Sequence, residues 1–294
     1  MISFTKKIRQ GGDLKLRIIM KLCKLINSFS SKFGVNVTAS HFYSPIPNIK
    51  EIKKERFTRN PEAYNFEVLN LDLNKQENYL KKLIKDVNFL PYQNTGLSLF
   101  DSYFLYSFVK GNMPKKIIEI GCGETTKIIQ KSLEENNIKS THICIEPYPS
   151  FPLRKFLSEK GKSVELINKK VQEAPIDIFN NCDFLFIDSS HVVKTDSDVL
   201  FEFFEIIPKL KKGTVIHFHD IMIPYAYWLD WHKEGSQYWN ESYFLHSFLM
   251  YNSAWETIFS SRFYQQNKFS NLKNYAPFLQ KNHRNSSFYI QKVH

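Results

Sequence analysis

Two short stretches bring together residues that could do chemistry. Asp183-Phe-Leu-Phe-Ile-Asp188-Ser189-Ser190-His191 is an apolar run that ends on a carboxylate and an imidazole. Gly213-Thr-Val-Ile-His217-Phe218-His219-Asp220 ends on a second such pair. Both runs read as buried strands, over 183–187 and 214–219, so Asp188, His191, His219 and Asp220 fall at or beyond strand ends. Period-two alternation puts His217 and His219 on one face of their strand. Neighbouring strands would converge these acidic and imidazole groups on one edge, which suits a divalent metal or acid–base work. The bland alternatives are specific. His217, deeper in its strand, reads as a core histidine ahead of a ligand. His191 and His219 could simply hydrogen-bond each other or Asp188. Asp196 and Asp198 read as charges at the start of a helix.

A cofactor crevice is written upstream. Ile117-Ile118-Glu119-Ile120-Gly121-Cys122-Gly123 is a buried strand running into a glycine-punctuated turn, with a helix expected over 125–133. Crevices at the carboxyl ends of such strands hold nucleotide-like cofactors. Glu146 closes the next strand, in His142-Ile-Cys-Ile-Glu146-Pro147, where an acidic side chain can accept both ribose hydroxyls. A solvated loop glutamate is the plainer reading of Glu146. Thr126 stands where a dinucleotide fingerprint needs its third glycine, so this is not that motif.

The elements that must position these residues follow a strand–helix–strand rhythm from Lys115 onward. Strands are expected over 116–120, 141–146, 163–167, 183–187 and 214–219, then 255–261 and 286–292 after a helix near 241–251. Upstream, helices are expected over 75–88 and over Asp101–Lys110, the latter ending at Gly111. The proline-marked segment His41–Pro47 should be extended. Residues 14–33 place Ile18, Leu22, Leu25, Ile26, Phe29 and Phe33 on one helical face, with Lys15, Arg17, Lys21, Lys24 and Lys32 around it. Such a stripe packs on its own domain or a second subunit more often than it lies on an anionic membrane. The Tyr/Trp-rich segment Tyr225–Trp239 could stack on a sugar or planar acceptor, or form a buried lid.

The composition bounds the partners. The 294 residues carry a formal charge of +11, which favours anionic ligands such as phosphorylated metabolites, nucleotide-sugars, acidic lipid or nucleic acid. The lysines are scattered and no RNA-binding motif stands out, so nucleic acid is the weaker partner. The aromatic content of 15% fits either a low-GC style of composition or a substrate-facing surface. Cys23, Cys122, Cys144 and Cys182 share no ligand spacing and read as reduced thiols. No signal-peptide core or spanning stretch is apparent, so a cytoplasmic protein is expected, with peripheral contact at the inner membrane face left open.

Glu119 followed by the glycine turn resembles the first motif of class I S-adenosylmethionine-dependent methyltransferases. The closing pair of strands resembles the antiparallel hairpin that ends their sheet. The resemblance implies a Rossmann-like, doubly wound α/β sheet of seven strands in order 3-2-1-4-5-7-6 with the last antiparallel. It implies a methyltransferase domain over 101–294, preceded by a helical extension over 1–100 that caps the acceptor site or pairs subunits. S-adenosylmethionine is the implied cofactor, with Gly121 and Gly123 shaping its turn, Glu119 supporting the turn and Glu146 on the ribose.

The other strand ends resemble the metal-dependent, catechol-type O-methyltransferases. That likeness assigns a metal-ligand aspartate to Asp188, which also borders the cofactor, and a base to His191, where the family has lysine. The family's Asp-Asn pair falls on His219 and Asp220, and Gln172 falls beside the adenine. Imidazole is a natural base at neutral pH. His219 in place of a carboxylate makes Mn²⁺, Fe²⁺ or Zn²⁺ as plausible as Mg²⁺ and leaves metal dependence open. The strings Tyr43-Ser-Pro-Ile-Pro, Ile145-Glu-Pro-Tyr-Pro, Phe186-Ile-Asp-Ser-Ser-His-Val-Val-Lys194, His217-Phe-His-Asp-Ile221 and Trp239-Asn240-Glu241 resemble a little-characterised bacterial branch found with glycan and natural-product assembly enzymes. The implied activity is O-methylation of a small, anionic or sugar-type acceptor. Its rivals are a methyltransferase acting on a phosphate group or nucleic acid, a non-catalytic membrane-surface subunit, and, last, a nicotinamide oxidoreductase.

Overall fold

The computed structural model describes residues 14–39, 44–48, 52, 54–58, 61–84, 96–233 and 237–294. The expected extended residues 41–43 and the tail of the helix expected to run to 88 lie outside them. The chain divides into two compact units, one of residues 1–54 with 230–238, the other of 55–229 with 239–294. In the first, helix α1 (Leu14–Ser30) continues into a 3₁₀ turn, Ser31–Phe33, that stops at Gly34 in the left-handed region.

The larger unit holds seven strands: β1 (Lys116–Ile120), β2 (Thr141–Ile145), β3 (Glu165–Ile167), β4 (Phe184–Ile187), β5 (Val215–Phe218), β6 (Trp255–Ser260) and β7 (Phe288–Lys292). Their order is β3-β2-β1-β4-β5-β7-β6, as expected. The first five are mutually parallel, and β7 runs antiparallel to both β5 and β6. The central strands are buried along nearly their whole length, which is why they are written as unbroken apolar runs.

Alternate residues feed two cores. Ile118, Ile120, Leu185, Ile187, Ile216 and Phe218 enter one, while Ile117, Phe184, Phe186, Val215 and Tyr289 enter the other. The second core receives α2 (Leu73–Ile84) and α3 (Leu99–Asn112). Here the aromatic surplus finds its use: Phe104 stacks on Phe259 at 4.4 Å and meets Tyr289 at 4.9 Å. Phe100, Phe108, Phe179, Phe184, Phe186, Phe218 and Phe288 are likewise fully buried, so much of the phenylalanine is core, not substrate surface.

Two expectations change. Gly111 does not end its helix; α3 runs on and closes at Met113 in the left-handed region. A Cβ on Gly111 would come within 2.6 Å of the Leu83 side chain, so the glycine lets α2 approach. The last two strands are neighbours but not a tight hairpin. Helix α8 (Ser261–Tyr275) intervenes, and its polar sequence carries no clear apolar stripe. The intervening helices α4 (Glu124–Glu135), α5 (Phe151–Lys160), α6 (Asp198–Phe201) and α7 (Glu241–Leu249) complete the wound architecture.

Candidate active site

The strand order reverses between β1 and β4, and a crevice opens where they end. The ladder continues one residue past each strand. Gly121 N–H donates to Ile145 O at 3.0 Å, Asp188 N–H to Ile120 O at 2.8 Å, His219 N–H to Ile187 O at 2.9 Å and Glu146 N–H to Ile167 O at 3.1 Å. Backbone register therefore sets Gly121, Glu146, Asp188 and His219 along one rim.

A cavity of about 540 Å³ lies there, lined by Gly121, Glu146, Gln172, Asp188, Lys170 and Lys194 among others. Gly121 has φ +79, and a Cβ on it would sit 1.9 Å from the Asp188 carbonyl oxygen. Only glycine lets the turn pass so close to β4. Gly123 differs: its φ of −174 is extended and a Cβ there would meet nothing within 4 Å. Its N–H donates to Thr126 Oγ1 at 3.2 Å, so the residue replacing a third glycine caps the first turn of α4. The Glu146 carboxylate is aimed by two backbone amides, Tyr148 at 2.7 Å and Cys122 at 3.3 Å. Gln172 donates to Asp196 O at 3.1 Å on the same rim.

Glu119 does not line this cavity. It is fully buried beneath the turn, accepting from Thr125 Oγ1 at 2.9 Å and meeting His142 Nε2 at 2.8 Å and Cys144 Sγ at 3.4 Å. Gln130 closes the other side of the His142 ring at 2.8 Å. Burial alone would lower the His142 pKa, but the Cys144 sulfur and the Glu119 carboxylate raise it to about 10.

At the β4 and β5 ends the expected groups do converge. His191 Nε2 lies 3.1 Å from Asp188 Oδ1 and its Nδ1 lies 2.7 Å from Glu241 Oε2. His219 Nδ1 lies 3.3 Å from both Asp188 Oδ1 and Asp220 Oδ2, yet neither contact is aligned as a hydrogen bond. Asp220 in turn accepts from Ser286 Oγ at 2.9 Å, and the Ser286 N–H donates to Asp101 of α3 at 2.8 Å. Ligand atoms of Asp188, His191 and His219 all lie within 4.8 Å of one another, as do those of Glu119, His142 and Cys144. Only the first group borders the cavity, through Asp188.

Strain marks the same loops. His191 (φ +58) and Asp220 (φ +51) occupy the left-handed region without being glycine. The His191 carbonyl is held by the N–H groups of Asn240 at 3.0 Å and Glu241 at 3.2 Å, and Trp239 packs on the imidazole at 4.4 Å.

Charge decides protonation. Burial would raise Asp188, but His219 and His191 drive it far below the usual carboxylate range. Burial would lower His191, but Asp188 and Glu241 raise it to about 10. His219 is raised well above its ordinary value against its own burial by Asp188 and Asp220. His191, to which the resemblance gives the role of base, has a carboxylate at each ring nitrogen. His217 is a core residue: fully buried, stacked on Tyr289 at 4.5 Å and pushed well below its usual pKa by burial. Glu241, Ser286 and the cavity lysines were not assigned roles from sequence. Glu241 lies 50 residues from its histidine partner, and no local pattern points to it.

Residues 118–221 match the model of a family described as a methyltransferase domain. A relative from Archaeoglobus fulgidus, itself described only as an uncharacterized protein, is 30% identical over 175 residues, spanning 53% of this chain and 78% of that one. Among solved structures, the SAH-bound Podospora anserina methyltransferase PaMTH1 aligns with TM-score 0.48 and 15% identity, over 76% of this chain and 88% of that one. The SAM-bound O-methyltransferase TomG of Streptomyces achromogenes aligns with TM-score 0.42 and 14% identity, over 79% and 92%. The sheet order, the rim crevice and the matched family define an enzyme of the methyl-transferring class. Residues 118–221 form a methyltransferase domain, and the sheet that carries them has the strand order expected of a class I S-adenosylmethionine-dependent methyltransferase.

Proposed function

We propose that the chain methylates a hydroxyl oxygen of a small acceptor that carries an anionic, sugar-type or similar polar group, with a divalent cation at the acceptor side. The observation that carries this reading is the position of Asp188. One side of it lines the cavity with Gly121, Glu146 and Gln172, and the other meets His191 and His219. Cofactor crevice and acid–base cluster thus share a residue.

S-adenosylmethionine supplies an electrophilic methyl group on a sulfonium. Gly121, whose turn passes close to the Asp188 carbonyl, would leave room for it, and Glu146, already oriented by two amides, would accept the ribose hydroxyls. Gln172 would border the adenine. Orientation of the two reactants supplies much of the rate.

The cluster suits a cation. Asp188, His191 and His219 would hold it, and an ion so held lowers the pKa of a coordinated hydroxyl. Two imidazoles with one carboxylate favour Mn²⁺, Fe²⁺ or Zn²⁺ over Mg²⁺. Glu241 on His191 Nδ1 provides the outer carboxylate that orients a ligating histidine, whereas Asp220 Oδ2 lies 3.3 Å from the His219 nitrogen that also faces Asp188 and so would stand on the ligand side of that ring. His219 Nδ1, buried and without an aligned hydrogen bond, fits a ligand atom better than a finished hydrogen-bond network. An anionic acceptor is supported by Lys170 and Lys194 in the cavity wall.

Calorimetric titration with S-adenosylmethionine and S-adenosylhomocysteine, with and without Mn²⁺ or Mg²⁺, tests the cofactor half. Micromolar-range binding that Glu146→Ala abolishes is expected. Labelled-methyl transfer to matched hydroxyl acceptors, with and without phosphate or carboxylate groups, tests the acceptor half. Binding under no condition would overturn the whole reading; transfer to neutral acceptors alone would overturn only its anionic part.

A further inference from the structure

Helix α1 turns its apolar side to solvent. Ile18, Leu22, Leu25, Ile26 and Phe29, with Phe33 in the turn that follows, form one stripe at helical spacing. Their exposures are 52%, 52%, 69%, 47%, 69% and 71%. Leu16, Met20, Cys23 and Asn27, on the opposite side of the helix, are half-buried. Of the occupants expected from the sequence, this exposure leaves a second subunit or a lipid surface. Single exposed apolar residues are ordinary, but a continuous stripe marks a surface that meets something.

Charge identifies the occupant. Lys21, Lys24 and Lys32 stand exposed beside the stripe, and no Asp or Glu occurs from 14 to 33. The preceding sequence adds Lys6, Lys7 and Arg9 against one acid, Asp13. A second copy of a chain carrying +11 would bring like charges together with no acidic residue in this segment to answer them. An anionic bilayer instead neutralises the lysines and takes up the apolar stripe. Spanning is not the mode: no described helix is long and apolar enough to cross a membrane.

We propose that α1 binds in the plane of an anionic lipid surface, with Leu22, Leu25, Phe29 and Phe33 inserted among the acyl chains and the lysines among the headgroups. The surface would anchor the enzyme peripherally, independently of which acceptor it methylates.

Flotation of the full chain with vesicles tests this, using phosphatidylcholine alone or mixed with phosphatidylglycerol. Partitioning onto the anionic vesicles is expected to exceed that onto neutral ones by about tenfold or more, and to fall as salt rises. The double substitution Leu25→Glu/Phe29→Glu should cut binding roughly a hundredfold. Its circular dichroism and melting temperature should stay unchanged, because both side chains are exposed. Lys21→Glu/Lys24→Glu should remove the preference for anionic lipid. Equal or negligible binding to both vesicle types would overturn the proposal, as would binding untouched by the stripe substitutions. Lipid-free self-association that the stripe substitutions abolish would assign the face to a second copy instead.

Discussion

Two histidine–carboxylate clusters sit a few residues apart along the same sheet, and they have different fates. Beneath the glycine turn, His142 meets Glu119 at 2.8 Å; at the rim, His191 meets Asp188 at 3.1 Å. In both, neighbours overcome burial and raise the imidazole to about 10: Cys144 and Glu119 for His142, Asp188 and Glu241 for His191. The lower cluster is closed, with Glu119 and His142 side chains wholly buried and Thr125, Gln130 and Cys144 filling the remaining directions. The upper cluster is open: the Asp188 side chain is 37% exposed on the cavity, and His219 Nδ1 has two carboxylates at hand and no aligned bond. The same chemical pair holds the fold where it is sealed and is available for work where a cavity reaches it.

Substitution at the hinge between the clusters should have the largest effect. Gly121→Val places a side chain against the Asp188 carbonyl at a positive φ, and should abolish cofactor binding in calorimetry and cost more than ~3 kcal/mol in denaturant unfolding. Next, the clusters should separate by readout. Glu119→Ala, leaving a buried imidazole without its carboxylate, should lose about 3–5 kcal/mol of stability. Asp188→Asn, at a carboxylate partly open to the cavity, should cost less stability than Glu119→Ala while methyl transfer falls ~100-fold or more. Equal loss of stability in both variants would erase the distinction drawn here.

The pH dependence of the sealed pair is a smaller effect with a definite sign. A histidine raised to about 10 contributes stability that is fully present below its unfolded value near 6.5 and is lost as pH climbs through 10. The stability gap between wild type and His142→Gln should therefore shrink steadily from about pH 7 to about pH 10, measured by urea unfolding. The smallest effect belongs to Gly123→Ala, with open space around its Cβ and an extended φ. Its stability should stay within about 1 kcal/mol of wild type, which contrasts with Gly121.

Much of this was legible in the chain. Buried parallel strands are continuous apolar runs, so β1, β2, β4 and β5 could be placed nearly to the residue, and their ends named Gly121, Glu146, Asp188 and His219. Helix α8 was not legible, because Ser261–Tyr275 is mostly polar and is fixed by its neighbours instead of by a stripe. Glu241 was not legible as a partner of His191, because the contact joins residues 50 apart. Nor was the direction of α1, since periodicity fixes which residues share a face and says nothing of where that face points.

The sequence alone placed the strands and the residue types delivered to their ends, because hydrophobic periodicity and strand-end position are local properties; the strand order was implied by the family resemblance, and the structure has that order. Tertiary structure decided which clusters are sealed and which are open, and so which histidines hold the fold and which can act. That outcome depends on distant carboxylates and on the solvent each group retains, and neither is written in any single stretch of chain.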